Sequence, residues 1–273
     1  MSGGLRTAMR VTLVVVAALV LLGTLVGLGA LAFGLGGSRV VSDTQELPAS
    51  MQFLTVDTGD VPLAVRIITD IDAEDPRIDL RMLTGTDDTQ LYVANDDDGG
   101  SRVTLGDSGS GFLKFRRTGE IKVILPPRVA RGLTVTVNQR AGSLSTDADL
   151  DQLVAKIDDG AVTLGGSARR VDVSVRRGDI STSTSITVTE SFRAEIESGG
   201  IAVEFRAAPR TTQAIADDDV TVGVPSPGPY RVRAQSNRPR GETTVTVPET
   251  TDPSAPEVTA RSKSGNVLVT ELR

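Results

Sequence analysis

The stretch AGSLSTDADLDQLVAKIDDGAVTLGGSARRVDVSVRRGDIST, residues 141–182, decides the fold. Within it and shortly after it, a polar or small residue, a glycine, one variable residue and an aliphatic residue recur in this order. The glycines are Gly142, Gly160, Gly178 and Gly199, which recur about 20 residues apart. This spacing is close to one coil of a stacked β-helix, in which glycine supplies the positive φ of each corner.

The aliphatic residues that follow these glycines occupy equivalent positions in the repeat. They are Leu144, Val162, Ile180 and Ile201. We expect them to stack in an inward-facing ladder, because one coil cannot bury its apolar face alone but stacked coils can. Similar turns open and close the region, with Gly59 in TGDVPL and Gly265 in SGNVLV. The pattern predicts an all-β, single-stranded β-helix or solenoid, and a β-sandwich with evenly spaced hairpins is the alternative.

Apolar residues alternate with polar ones along several segments, including 133–137 and 171–175. This period of two predicts strands with one buried face. The nearest approach to a helical pattern is 147–157, which fits either one or two helical turns or a strand entered through a polar loop. Residues 239–257 are rich in Pro, Thr and Glu, so we expect a flexible loop with one short strand there.

The N-terminal segment predicts the location of the protein. Residues 11–35 are uncharged and would span about 37 Å as a helix, against a hydrocarbon core of about 30 Å. We therefore expect a transmembrane helix at 11–35, after a short cytoplasmic tail at 1–10 that carries two arginines. A linker at 36–50 and an extracytoplasmic domain at 51–273 would follow. The alternative is a cleaved secretion signal, and in both cases the domain is exported.

Composition excludes several classes of chemistry. The chain has no Cys and no His, so disulfides, thiol nucleophiles, imidazole bases and His-ligated metals are ruled out. The net charge of −6 argues against a nucleic-acid partner, since phosphate binding requires a concentrated basic surface. We expect no cofactor and no enzymatic activity.

Two motifs match well-known functional motifs, but we favour a structural interpretation of both. Asp57-Thr58-Gly59 resembles the catalytic turn of aspartic proteases, which need two aspartates sharing a proton. The second candidate, Asp107-Ser108-Gly109, follows it too closely in sequence for a two-lobed enzyme. Arg177-Gly178-Asp179 is the integrin-binding tripeptide, but its glycine is one of the regular corners. Both sequences are therefore interpreted as turns of the repeat.

Two groups of charged residues are candidates for ligand binding. The acidic run Asn95, Asp96, Asp97 and Asp98 offers oxygen ligands that suit Ca²⁺, but it matches no known calcium loop, and a solvated turn is the simpler interpretation. Paired arginines at 116–117, 169–170 and 176–177 fit either solvated strand faces or contacts with anionic envelope polymers.

The order of these elements resembles the bacterial putative-adhesin family, a β-helical domain of unknown function, in its membrane-anchored actinobacterial form. The matching features are the TGDV turn at 58–61, a strand leading into Pro126, the repeated glycine turns, and the closing SGN strand at 264–267. The resemblance covers roughly residues 50 to 273. It implies a β-helix and, from the family name, adhesion, and it supplies no catalytic residue.

We therefore expect a non-catalytic surface protein that acts in adhesion, envelope organisation or ligand binding. One alternative is a carboxylate-based hydrolase of envelope polymers, which needs two acids facing each other in a groove. Its possible acids are Glu190, Glu195, Glu197 and Glu204. A further alternative is a regulatory or structural subunit of a membrane complex, assembled through the anchor.

Overall fold

The computed structural model describes residues 39–84, 89–96, 98–107, 118–239 and 241–272. The predicted tail at 1–10 and the predicted transmembrane helix at 11–35 lie outside the described residues. Within the described part of the chain, no helix has the length and apolar character needed to cross a membrane.

Strands make up most of the described chain, which confirms the predicted all-β class. The strands are β1 (Arg39–Glu46), β2 (Phe53–Asp57), β3 (Leu63–Thr69), β4 (Arg77–Thr84), β5 (Thr89–Asn95), β6 (Gly100–Asp107), β7 (Thr118–Leu125), β8 (Thr134–Leu164), β9 (Gly166–Thr182), β10 (Ile186–Ser198), β11 (Ile201–Ala207), β12 (Thr211–Ala216), β13 (Val220–Pro225), β14 (Arg231–Ser236), β15 (Thr243–Val245), β16 (Glu257–Ser262) and β17 (Val267–Leu272). They form one 17-stranded sheet that is not closed. A single-turn helix, α1 (Pro127–Ala130), begins where two prolines end β7.

Parallel strands one sequence repeat apart lie side by side in the central part of the sheet. Val162 of β8 is opposite Ile180 of β9, and Ile180 is opposite Ile201 of β11. Val220 of β13 continues the same row beyond Ile201. All four side chains are buried, so the aliphatic residues of successive repeats form one continuous strip of the core.

The repeat glycines form a column beside this aliphatic strip. Gly142 has a φ of +129°, in the region that L side chains rarely adopt. A Cβ atom on Gly160 would overlap the carbonyl oxygen of Gly142, and the same overlap relates Gly178 to Gly160 and Gly199 to Gly178. Only glycine therefore lets the backbones of successive repeats approach this closely.

Gly59 lies outside this column, and Gly265 is separated from its last glycine by Asp218. Gly59 has a φ of +55° in the open turn between β2 and β3, and no atom lies near its missing Cβ. Gly265 is between β16 and β17 and packs tightly against the backbone of Asp218 and Asp219. The place before Gly142 in the column is taken by the carbonyl group of Leu63.

Most of the strand pairings fall into two walls of the sheet. Wall A is formed by β5, β6, β2, two segments of β8 (134–138 and 152–157), β9 from residue 170, β10 from residue 191, β12, β16 and β14, in that order. Wall B is formed by β1, β4, β7, β3, two further segments of β8 (142–147 and 160–164), the end of β9, then β11, β13, β17 and β15. A short third set of pairings joins 148–150 of β8, 166–168 of β9 and 187–188 of β10. The apolar residues of both walls point into a common core.

The segment 36–50, which the sequence predicts as a linker, contains a strand. β1 pairs antiparallel with β4 over its whole length, and Leu47 immediately after it is buried. The sequence of β1 is largely polar and has no strand signal of its own. It is ordered because β4 has a free edge. The N–H and C=O groups of that edge can form hydrogen bonds with an extended backbone of almost any sequence.

The C-terminal strands do not follow sequence order. β16 lies between β12 and β14, and β17 lies between β13 and β15, with all four pairings parallel. The predicted loop at 239–257 therefore contributes a sheet strand, β15, and Val247 beyond it is buried. The segment 147–157, for which the sequence left helix and strand open, belongs to β8.

Candidate functional site

The outward-facing side chains of wall A align in rows that cross the strands. One row begins with Phe53 of β2 and continues through Thr134 of β8. A neighbouring row contains Arg102, Thr55 and Thr136. Because parallel pairing keeps equivalent positions in register, each row is a line of exposed side chains spaced by one strand separation, about 4.8 Å.

A depression of about 660 Å³ opens where β2 meets β6, and we call it the Phe53 depression. Its lining residues are Phe53, Thr55, Asp96, Asp98, Gly100, Ser101 and Arg102. The Phe53 side chain is 50% exposed. Aromatic residues make up only 3% of the chain, so few such rings are present. The depression thus combines an aromatic face with carboxylates, a hydroxyl group and a guanidinium group, which is the mixture of apolar and polar groups that ligand sites use.

The acidic run predicted as a calcium candidate forms one rim of this depression. The Asp96 amide donates to the Gly100 carbonyl over 2.8 Å, and Gly99 has a φ of +77°, so the run is the tight turn between β5 and β6. The Asn95 side-chain oxygen accepts a hydrogen bond from the Ser101 hydroxyl over 3.0 Å. Asp97 lies outside the described residues.

No three His, Cys, Asp or Glu side chains of the described ranges gather in a way that could hold a metal ion. Asn95 is already bonded to a hydroxyl group, and Asp96 and Asp98 are exposed turn residues. Calcium binding at 95–98 therefore stays a prediction.

A second depression, of about 280 Å³, lies further along wall A between β9 and β10, and we call it the Arg193 depression. Its lining residues are Gln152, Arg170, Val171, Asp172, Ser191, Phe192, Arg193, Thr211 and Gln213. Arg170 Nε donates to Glu190 over 2.7 Å, and Arg193 Nη2 donates to Glu195 over 2.7 Å. A guanidinium group has five N–H donors, so both arginines keep further donors for a ligand.

Among the glutamates proposed for a hydrolase, Glu190 and Glu195 are ion-paired and Glu204 lies on the other wall. Glu190 accepts hydrogen bonds from Arg170 and Arg169, and the Arg170 bond is the main reason that the pKa of Glu190 is below its ordinary value. A carboxylate held in its charged form is a poor general acid at neutral pH. Glu195 is paired with Arg193 on wall A, whereas Glu204 is on β11 of wall B.

Asp57 and its neighbours form the turn between β2 and β3. The Asp57 carboxylate accepts a hydrogen bond from the Gly59 amide over 3.0 Å, which is an Asx-turn. Thr58 is buried, and its amide donates to the Asn138 carbonyl over 3.2 Å. Ser108 and Gly109 of the second motif lie outside the described residues.

The integrin-type tripeptide, Arg177-Gly178-Asp179, forms hydrogen bonds with neighbouring strands of the sheet. Arg177 makes two hydrogen bonds to the Asp159 carboxylate, one of them of 2.8 Å from Nη2. Asp179 accepts a hydrogen bond from the Gly200 amide over 3.2 Å. Both charged side chains of the tripeptide are thus tied to the neighbouring repeats, and Gly178 lies within the glycine column.

The paired arginines at 169–170 also join successive repeats. Arg169 donates from Nε and Nη2 to the two carboxylate oxygens of Asp151, each over 2.7 Å, and from Nη1 to Glu190 over 3.2 Å. The Arg169 hydrogen bond is the largest cause of the lowered pKa of Asp151. Arginines 116 and 117 lie outside the described residues.

Sequence reasoning missed Phe53, Arg102 and Arg193 as surface-site residues. The available signal for Phe53 was its position before Leu54 at the start of an alternating strand, which places it on the outer face. No comparable signal existed for the two arginines, because they reach their depressions only through pairing with other strands.

No family model and no curated protein match this chain. Three solved structures similar to it come from bacteria. They are a "putative cell adhesion protein" from Clostridium sporogenes ATCC 15579 (9% identity, 86% of this chain and 100% of that chain, TM-score 0.41), a "putative adhesin" from Parabacteroides distasonis ATCC 8503 (12%, 86% and 97%, 0.41) and a "putative lipid binding protein" from the same organism (12%, 85% and 97%, 0.28). At such TM-scores these similarities carry no argument about function, which rests on the site itself.

Proposed function

We propose that this protein is a membrane-anchored, extracytoplasmic β-solenoid that binds an envelope polysaccharide without catalysis, through wall A. The solenoid interpretation is supported by parallel strands that pair in register one sequence repeat apart, as those carrying Val162, Ile180 and Ile201 do. The uncharged segment at 11–35 supports the anchor and the export of the remainder.

The observation that carries the ligand assignment is the half-exposed Phe53 ring within the Phe53 depression. Sugar rings have apolar C–H faces that pack on an aromatic ring, and their hydroxyl groups both donate and accept hydrogen bonds. Asp96 and Asp98 supply acceptors, Arg102 supplies donors and Thr55 supplies both. This combination matches a polyhydroxylated ligand better than an apolar or a purely ionic one.

The non-catalytic role is supported by the state of three carboxylates near the Arg193 depression. Glu190 and Glu195 are both paired with arginines, and Asp172 faces Arg193 of the next strand in the same row. Glycoside hydrolysis needs one carboxyl group that stays protonated near neutral pH and a second across the bond to be cleaved. Ion-paired carboxylates are unsuited to the first of these roles.

The test compares two exposed aromatic residues of wall A. Phe53 lines the depression, whereas Tyr92 is similarly exposed, at 55%, but lies outside its lining. Full-length protein in detergent would be titrated with polysaccharide fractions from bacterial envelopes. We expect Phe53→Ala to weaken binding about tenfold or more, about 1.4 kcal/mol, and Tyr92→Ala to leave it unchanged.

Equal binding by wild type and Phe53→Ala would contradict the assignment of this site. Release of reducing ends from the polysaccharide during incubation would contradict the non-catalytic role. A parallel titration with added chelator would test whether calcium at 95–98 contributes, since loss of binding with chelator would establish a metal requirement.

A further inference from the structure

We infer that the bound polysaccharide is linear and acidic and lies along wall A from the Phe53 depression to the Arg193 depression, so that affinity depends on chain length. This inference rests on the proposed function and adds a second subsite and a ligand class to it.

The two depressions lie on the same surface and on the same row of side chains. Phe53 is opposite Thr134, and Gln152 is opposite Arg170. The segment that carries Gln152 lies next to the one that carries Thr134, because the Gln152 amide donates to the Leu133 carbonyl over 3.3 Å. The centres of the depressions are four strands apart, or about 19 Å.

The surface between the depressions offers no obstacle to an extended ligand. Along the two rows that join them, the outward-facing side chains are Thr134, Thr136, Gln152 and Val154, which are uncharged and only partly exposed, and the exposed Lys156 lies in the next row. A chain lying on them would meet hydroxyl, amide and methyl groups along a line of constant strand spacing. A linear polymer fits such a path, whereas a compact ligand would occupy only one depression.

The chemistry of the Arg193 depression points to acidic sugar units. Its lining contains two arginines, two glutamines and one carboxylate, Asp172, while Glu190 and Glu195 outside the lining each take one hydrogen bond from an arginine. The N–H groups of Arg170 and Arg193 that are not used on Glu190 and Glu195 can bind a carboxylate in charge-assisted hydrogen bonds, which are stronger than neutral ones. A uronic acid unit supplies that carboxylate together with hydroxyl groups for the two glutamines.

The experiment uses full-length protein in detergent and oligogalacturonates from the disaccharide to the octasaccharide, with neutral cello-oligosaccharides of equal length as the reference series. We expect wild-type affinity for the acidic series to rise at least tenfold once the oligomer is long enough to reach both depressions. With Arg193→Ala, the octasaccharide should bind no more than about twofold tighter than the disaccharide.

The matched control is Arg261→Ala, which removes the same charge from wall A at a place beyond both depressions. It should keep the tenfold rise with length, and urea unfolding midpoints would show that both variants are folded. Affinity independent of length, or a rise that survives Arg193→Ala, would overturn the inference of a second subsite. An equal rise for the neutral series would overturn the acidic ligand class.

The two proposals fail in different ways. If Phe53→Ala weakens binding of every oligomer but length has no effect, the Phe53 depression is a binding site and the polymer inference is wrong. If no oligomer and no envelope fraction binds to wild-type protein, both proposals are wrong.

Discussion

The central and N-terminal parts of the sheet contribute to the same two walls but are assembled differently. Between 134 and 225, strands about one repeat apart in the chain pair with each other, and all these pairings are parallel. Between 39 and 125, β1, β4 and β7 pair antiparallel, as do β5 and β6. β2 pairs with the distant first segment of β8, so its partner lies several repeat lengths further along the chain.

A continuous core therefore does not require that the chain follow a regular path. Ile121 of β7 and Ile180 of β9 are both buried. This holds although β7 has an antiparallel neighbour, β4, whereas β9 pairs in parallel with β8. What both parts share is alternation of apolar and polar side chains, which presents an apolar face to the interior in either strand direction.

The largest effect is expected from a glycine of the central column. A Cβ atom in Gly160→Ala would overlap the Gly142 carbonyl, and neither backbone can move without breaking the ladder. We expect a loss of about 3 kcal/mol or more in the free energy of unfolding, measured by urea denaturation of the full-length protein in detergent.

The control for this variant is Gly132→Ala, between α1 and β8, where no atom lies near the missing Cβ. It should change the free energy of unfolding by no more than about 1 kcal/mol. Similar losses for the two variants would mean that the close stacking of the central glycines does not limit stability.

The next effect tests whether the two parts of the sheet share one core. Ile180→Ala and Ile121→Ala each truncate a side chain that is 1% exposed. Each should lower the free energy of unfolding by about 2–5 kcal/mol, and each should shift a single cooperative transition. Two separate transitions, with Ile121→Ala shifting only one, would show that the strands between 39 and 125 unfold on their own.

The smallest effect concerns pH and the ion pairs between repeats. The Arg169 guanidinium holds the pKa of Asp151 below its ordinary value of 3.8. A carboxyl group whose pKa is lowered by folding stabilises the protein above its unfolded pKa and loses this contribution as pH falls through the folded pKa. We therefore expect wild-type stability to decline below pH 3.8, partly through this group.

Asp151→Asn should lower the urea midpoint slightly at neutral pH and flatten its decline below pH 3.8. The matched variant in the N-terminal part is Asp72→Asn, an exposed residue between β3 and β4, which should leave the curve unchanged. The effect is small because the Arg169 side chain is 38% exposed, and water screens the pair. Superimposable curves for Asp151→Asn and wild type would contradict a stabilising role for this pair.

The predictions from sequence succeeded where structure is encoded locally. The all-β class followed from alternation at segments such as 171–175 and from the absence of a helical period. The strand at β15 also had a local signal, the alternating run 243–247, of which 243–245 forms the strand. By contrast, the sequence predicts β1 as part of a linker, because a polar edge strand is ordered only by the strand beside it.

The candidate site was less accessible to sequence reasoning. The acidic run at 95–98 was singled out by composition, and it does line a depression, but its partners Phe53 and Arg102 come from positions that share no motif with it. Arg193 likewise meets Gln213 and Asp172 only through the pairing of three strands. Such sites arise from register between strands, which single-sequence patterns do not contain.

The amino-acid sequence by itself determined the alternation of apolar and polar residues, the period of the central repeat and the placing of Gly142, Gly160, Gly178 and Gly199 where φ is positive, because alternation and backbone φ are properties of the local chain. Only the tertiary structure decided that β16 and β17 insert between earlier strands, that β1 joins the sheet, and that Phe53 and Arg193 share one wall. The physical reason is that backbone hydrogen bonds between strands are nearly independent of side chains, so the choice among distant partners depends on the packing of the whole core.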